Sequence, residues 1–381
     1  MSTDLPVPGY GGNDLAGVLP RVVASLGVRH SPYAEWLPAL APARSAVVVL
    51  VDGLGLELLR TRSGHAPYLR SLLATAPDQA GNAGFPSTTA TSMGTFGTGL
   101  PPGQHGLVGY VVRDPARDVL FNELDWINGP DSLRWQPNPT AFEIAGRDGV
   151  EVTMIGADYF DGSGLTRAAL RGARVVSAYR LADRVDLTLA ALRGRGRRLV
   201  YLYWGDIDRI GHTSGPASLQ WVEELERVDA ELARLAAALP GGVSLTITAD
   251  HGMVDVPFED RVDLAADAEL VAGVHLTGGE PRAPQLYTVP GAAADVAATW
   301  RTRMADDAWV LTREEAIDTG LFGPVAAGVR DRIGDVLVAM RSTGCVYDSR
   351  TIKPVLLELV GQHGSLTDAE LLVPVLHAPA S

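Results

Sequence analysis

Three acidic clusters and a hydroxyl-rich segment carry the residue types needed for metal-assisted chemistry. The acids are Asp52, then Asp206 with Asp208, then Asp250 beside His251; His212 follows Asp208 by four residues and His363 lies far downstream. An Asp-x-x-x-His pair can bring a carboxylate and an imidazole onto one ion, and adjacent Asp and His can serve one ion or bridge two. The hydroxyls gather in FPSTTATSMGTFGTGLPPGQHGLVGY, residues 85–110, among them Ser87, Thr88, Thr89, Thr91 and Ser92. A threonine hydroxyl is a weak nucleophile at neutral pH. Coordination to a divalent cation favours its alkoxide, just as it lowers the pKa of bound water to about 7 in the best zinc case. Paired ions roughly 4 Å apart suit in-line displacement at phosphorus and need about six or seven O and N ligands, which these Asp and His residues can supply. Composition leaves open which hydroxyl would react, and it also leaves open a bland alternative, a Ser/Thr-rich helix cap without chemistry.

Such residues meet only if the fold carries them to one edge. Residues 45–51, SAVVVLV, form an uninterrupted β-branched run that predicts a strand buried on both faces, and it ends at Asp52-Gly53-Leu54-Gly55. Residues 197–204 predict a second buried strand ending in acids, and 243–248 a third running into Asp250-His251-Gly252. The carboxyl ends of such strands are where open α/β sheets bind ligands. Helices are expected near 14–26, over 56–61, 67–76, 140–149 and 185–192, and as a long amphipathic helix over 219–239. Residues 150–155 read as a further strand, 110–139 as loop-rich with Trp126 and Trp135 as anchors, and 371–376 as a closing strand. The hydroxyl segment reads as a loop entering a helix N-terminus, where free N–H groups and the dipole suit an anion. The fold class expected is α/β: a doubly wound, mostly parallel sheet flanked by helices over 1–275 and 346–381, with a small α+β insert or cap over 276–345. The insert is expected to hold strands at 285–289 and 336–339 and helices at 292–304 and 313–317.

Composition narrows the partners. The 381 residues carry a net charge of -13, which disfavours a nucleic-acid polymer as ligand because phosphate backbones demand a positive footprint. The single cysteine, Cys345, excludes an intrachain disulfide framework and a cysteine-rich zinc cluster, so any metal falls to His and carboxylates, and Cys345 itself reads as a core residue. No basic start followed by an apolar core opens the chain and no apolar run reaches the ~20 residues of a membrane span. A cytoplasmic protein with no membrane partner is expected, with a homo-oligomer left open.

The motifs together resemble the alkaline phosphatase superfamily, specifically its nucleotide pyrophosphatase/phosphodiesterase-like branch, from VVVLVDGLG to GQHG. The resemblance implies that Asp52 is the first-strand metal ligand. It implies that Thr89 is the nucleophile, three residues after Pro86 and ahead of Thr98-Gly99-Leu100 and His105-Gly106, with neighbouring Thr88 the alternative. It also implies two divalent ions, zinc: one held by Asp208, His212 and His363, the other by Asp52, Asp250 and His251 with Thr89 bonded to it. The branch's nucleotide-cleaving members carry an aromatic residue and then Pro-Asn after the threonine; here Ala90, Thr91 and Ser92 follow instead. Ser92 is then expected to donate to the oxyanion in place of the asparagine, helped by the backbone N–H of Ala90, and Tyr110 or Tyr159 with Phe160 to supply an aromatic wall. Asp206 is read as orienting a ligand, and His105 as steadying the nucleophile loop.

These readings imply a hydrolase that cleaves a phosphodiester or pyrophosphate bond of a small, nucleotide-like phosphate ester through a phosphothreonine-type intermediate. Phosphomonoesters and phosphonates stay open within the same metal frame, as does a non-catalytic metal-binding protein. A formylglycine sulfatase is disfavoured because no C/S-x-P-x-R motif is present, and a phosphoglycerate mutase because neither its serine nucleophile nor its large inserted domain is seen.

Overall fold

All seven residues of the strand Ser45–Val51 are buried, and they divide their side chains between two cores. Ala46, Val48 and Leu50 face one cluster, with Val22, Phe96, Phe142 and Tyr201; Val47, Val49 and Val51 face the other, with Leu202, Trp221 and Leu225. A strand with helices on both faces needs apolar residues at every position, which explains the unbroken run. The computed structural model describes residues 5–29, 39–75 and 80–381; Ala76, at the end of one expected helix, and parts of the expected N-terminal lead-in lie outside them.

The strand sits fourth in a seven-stranded sheet whose order is Ala80–Asn82, Leu372–Ala378, Val243–Thr248, Ser45–Val51, Arg198–Trp204, Glu151–Gly156 and Arg174–Ser177. The last five are parallel, and Leu372–Ala378 closes the sheet antiparallel to Val243–Thr248. Register pairs Val51 with Trp204 and Leu50 with Thr248, so the three acid-bearing loops leave the sheet at one level. The long helix Leu219–Ala238 covers one face, and Val18–Ser25, Thr89–Thr98 and Ala141–Arg147 cover the other. No helix among the described residues is long and apolar enough to cross a membrane.

A second, six-stranded antiparallel sheet runs Ala308–Thr312, Val336–Met340, Ala283–Thr288, Val274–Glu280, Val111–Asp114, Val119–Asn122. It has its own core, with Leu286, Val296, Trp300 and Val338. It also corrects the expectation of a loop-rich 110–139. Strands of four residues are too short to show a clear alternation, and this hairpin extends the sheet outside the 276–345 range. Trp126 and Trp135 anchor it as expected, with Phe121 meeting both rings edge-on at 5.5 and 5.1 Å.

The helix Thr89–Thr98, TATSMGTFGT, has poor intrinsic propensity and is held by its surroundings. The hydroxyls of Thr95 and Thr98 bond back to the carbonyls of Thr91 and Gly94, and Gly99 ends the helix at φ 68°. Gly97 lets it lie against the helix Gly164–Ala169: a methyl at Gly97 would stand 1.8 Å from the Ala169 carbonyl oxygen. Gly97→Ala is therefore expected to cost about 1–3 kcal/mol or more, read as a lower denaturant midpoint; an unchanged midpoint would show that this contact yields.

Candidate active site and metal centre

Asp52 leaves the strand Ser45–Val51 with its N–H on the Trp204 carbonyl (2.8 Å), and Gly53 then turns the chain at φ 73°. A Cβ on Gly53 would stand 2.9 Å from the Cα and Cβ of Asp208, so glycine is required for these two acids to approach. The Gly53 N–H also donates to Asp250 Oδ1 (3.1 Å), which ties the third acid to the same turn. Asp208 and His212 lie one turn apart on the helix Asp206–Ser214, facing the same way.

Three imidazoles are oriented by one device. Nδ1 of His251 lies 2.9 Å from the Gly252 carbonyl, Nδ1 of His212 2.8 Å from that of Gly361, and Nδ1 of His363 2.9 Å from that of Ser87. A carbonyl only accepts, so each Nδ1 donates and each ring turns its Nε2 to the centre, where a neutral imidazole offers a lone pair. His251 and His363 stack at 3.6 Å, and His212 lies 5.1 Å from His363. His251 Nε2 is 3.4 Å from Asp52 Oδ1 and 3.6 Å from Asp250 Oδ2; Asp208 Oδ1 is 3.4 Å from His212 Nε2 and 3.9 Å from His363 Nε2.

Two ligand groups emerge: Asp208, His212 and His363, and Asp52, Asp208 and His251. The expected division gave Asp208 to one ion only, whereas the structure turns it to both groups, and Asp250 stands at the edge of the second through His251. Asp52 Oδ1, Asp208 Oδ1 and Asp250 Oδ2 are buried without a hydrogen-bond partner. Three crowded carboxylates cost a great deal without a cation. Burial first, then Asp250 and Asp208, pushes the Asp52 carboxyl well up; burial pushes Asp250 up; burial, then His251 and His212, pushes the His363 imidazole well down. Orphaned hard oxygens facing bare imidazole nitrogens fit a divalent cation such as zinc.

Restoring zinc to chelator-treated protein should accordingly stabilise it, by about 2.7 kcal/mol at roughly a hundred times the Kd. Asp52→Asn should raise the melting temperature of the metal-free protein and shrink the zinc-induced rise. A zinc response left intact in that variant would remove Asp52 from the centre.

Thr89 Oγ1 lies 3.2 Å from His251 Nε2, the distance of a hydroxyl donating to a lone pair. Thr89 opens the helix Thr89–Thr98, so the backbone N–H groups of Thr89, Ala90 and Thr91 precede its first internal hydrogen bonds. Ala90 is wholly buried, so its side chain is out of a ligand's reach. The expected donor role of Ser92 is corrected: its side chain is fully buried and its hydroxyl donates to the Asp250 carbonyl (2.8 Å). That bond ties the helix Thr89–Thr98 to the loop that carries Asp250 and His251. Asp206 does not orient a ligand either, since its half-exposed carboxylate pairs with Arg209 at 3.0 Å.

His105 steadies the helix Thr89–Thr98. It is buried, faces Thr95 Oγ1 at 3.0 Å, and is held neutral by burial, with its pKa down to about 3. Cys345 is buried, its thiol pushed up to about 11 by desolvation.

Tyr159 is exposed and connected to the centre by a relay of rings. It meets Phe160 at 4.6 Å, Phe160 meets Tyr203 edge-on at 5.2 Å, and the Tyr203 hydroxyl donates to Asp52 Oδ2. Tyr203 escaped sequence reading, although an aromatic one residue from the end of an acid-bearing strand is the signal that could have found it. Tyr110 lies elsewhere, one residue before the strand Val111–Asp114 of the second sheet; burial raises its pKa, the Asn122 side chain opposes the rise, and Asp125 and then Glu280 add to it. Tyr110 and Tyr159 thus lie in different parts of the structure.

The sequence profile of the family described as type I phosphodiesterase / nucleotide pyrophosphatase matches residues 46–366. Among solved structures, murine ectonucleotide pyrophosphatase/phosphodiesterase 5 is 19% identical, with a TM-score of 0.70 over 88% of this chain and 88% of that one. An inactive form of the murine protein in complex with AMP gives 18% and 0.69, over 88% and 87%. Phosphonoacetate hydrolase from Sinorhizobium meliloti, in complex with phosphonoformate, gives 20% and 0.67 over 88% and 90%.

Proposed function

The chain belongs to the type I phosphodiesterase / nucleotide pyrophosphatase family, and from that premise we propose that it cleaves a phosphodiester or pyrophosphate bond of a small, nucleotide-like phosphate ester through a covalent intermediate on Thr89. The observation that carries the reading is the 3.2 Å approach of Thr89 Oγ1 to His251 Nε2, at a helix N-terminus and beside carboxylate oxygens with no protein partner. Two zinc ions are proposed, one at Asp208, His212 and His363 and one at Asp52, Asp250 and His251, with Asp208 turned to both. Bound there, they would favour the ionised hydroxyl and offset negative charge on the phosphoryl oxygens.

The chain's own groups do the rest. The Thr89 oxygen attacks phosphorus, the Thr89–phosphorus bond forms and the bond to the leaving oxygen breaks; water then releases the phosphoryl group and restores the hydroxyl. The N–H groups of Ala90 and Thr91, ahead of the helix's first internal bonds, would receive a phosphoryl oxygen as it gains charge, since helix-end amides stabilise such charge without reorganising. Tyr159, exposed and backed by Phe160, is the ring available to a planar substituent of the substrate.

A phosphonate substrate is the second reading, supported by the likeness to a hydrolase seen with phosphonoformate and by the absence of an aromatic residue directly after Thr89. Zinc-loaded protein offered bis-p-nitrophenyl phosphate, thymidine 5′-p-nitrophenyl phosphate, p-nitrophenyl phosphate and phosphonoacetate separates them. Preference for the diesters, abolished by chelation, is the expected result; preference for the monoester or the phosphonate would overturn the diesterase reading.

A further inference from the structure

Glu280 ends the strand Val274–Glu280, where the second sheet meets the nucleophile loop. Its side chain is 8% exposed, and neither carboxylate oxygen has a hydrogen-bond partner in the protein. Its surroundings are the shoulders of the reactive groups. The Thr88 hydroxyl faces it, at a geometry short of a hydrogen bond, one residue before Thr89. Gly364, one residue after His363, leaves it room: a Cβ there would stand 2.5 Å from Glu280 Cγ.

The fold satisfies the other acids nearby. Glu370 accepts from Arg282 Nε at 2.7 Å and Nη2 at 2.8 Å. Glu123 accepts from Trp135 Nε1 at 2.6 Å and from the Val108 N–H at 3.0 Å. Glu280 alone of the three has no such provision, and it belongs to neither ligand group of the metal centre. A buried carboxyl without a hydrogen bond is costly, so its partner should come from outside the chain. Burial raises the Glu280 pKa to about 8; in its ionised form the carboxylate repels a phosphoryl anion, and the donor it then takes falls to the organic part of the substrate.

Resting on the phosphodiesterase reading, we infer that Glu280 determines specificity by receiving a hydrogen-bond donor, an ammonium or a hydroxyl, carried by the organic group of the substrate. The second sheet presents this carboxyl group near Thr88, one residue before Thr89.

The test compares kcat/KM of the zinc-loaded protein for 2-aminoethyl, 2-hydroxyethyl and ethyl p-nitrophenyl phosphate, in wild type, Glu280→Gln and Glu280→Leu. The aminoethyl and hydroxyethyl arms distinguish ammonium from hydroxyl. In wild type one donor-bearing ester should be preferred over the ethyl ester by roughly tenfold or more. Glu280→Leu should lose that preference while melting at a higher temperature, since an unpaired buried carboxyl has been removed; a merely structural role would leave the preference in place. Calorimetric binding of phosphoethanolamine, ethylene glycol monophosphate and ethyl phosphate to the same proteins reads the contact independently of turnover. Absence of turnover on all three esters would sink the diesterase reading, yet the binding ratios would still decide the role of Glu280. Equal binding and equal kcat/KM in wild type, or a preference that survives Glu280→Leu, would overturn it; the unpartnered carboxyl would then be served by water.

Discussion

Thr89→Ala is expected to lower turnover of every ester the wild type cleaves by roughly four orders of magnitude or more, with zinc content and melting temperature little changed. Removing a nucleophile that works with its activating groups as one unit costs nearly all of the acceleration that the unit provides. The stability side follows from position. Thr89 begins its helix, its side chain is only partly buried, and its hydroxyl bonds to His251. Losing the hydroxyl therefore orphans no backbone group. Thr89→Ser, which keeps the oxygen but loses the methyl that restricts its rotamer, should retain part of the activity. Undiminished hydrolysis by Thr89→Ala would hand the chemistry to Thr88 or to direct attack by water.

Asp208→Asn should be the most damaging change among the ligands. Asp208 is the acid common to both groups, so the variant should lose zinc at both sites, and kcat/KM should fall by at least about a hundredfold. His212→Ala should deplete one group and leave Asp52 and His251 able to bind. Elemental analysis of the dialysed proteins reads the difference directly. An Asp208→Asn protein with the wild-type zinc content would refute the shared role and return Asp208 to a single site.

Much of this centre was legible because strand ends are. A β-branched run that stops at an acid names both the element and the residue at its carboxyl end, and three such ends carried Asp52, Asp208 and Asp250. Thr89 is singled out by its register with Pro86 rather than by its chemistry, since Thr88 is chemically its equal. Ser92 shows the limit: sequence offers a hydroxyl, but only the fold decides which acceptor takes its proton, and the Asp250 carbonyl took it. Asp206 was misread for the same reason, its acid being claimed by Arg209 within its own helix. The hairpin Val111–Asp114 and Val119–Asn122 escaped because each strand spans four residues and gains its pattern from a sheet formed by residues more than 150 positions away. Glu280 is illegible in sequence, being a lone acid at the end of VHLTGGE whose meaning lies in Gly364 and Thr88.

The most direct measurement is an acid quench of the zinc-loaded protein during turnover of a phosphodiester, followed by mass spectrometry of the peptide that contains residues 85–110. A phosphoryl adduct on Thr89, absent before substrate is added and absent from Thr89→Ala, is the result expected. Turnover by the wild type with the adduct on another residue would contradict the assignment of Thr89, and rapid-quench sampling of the first turnover that found no adduct on any residue would contradict the covalent route.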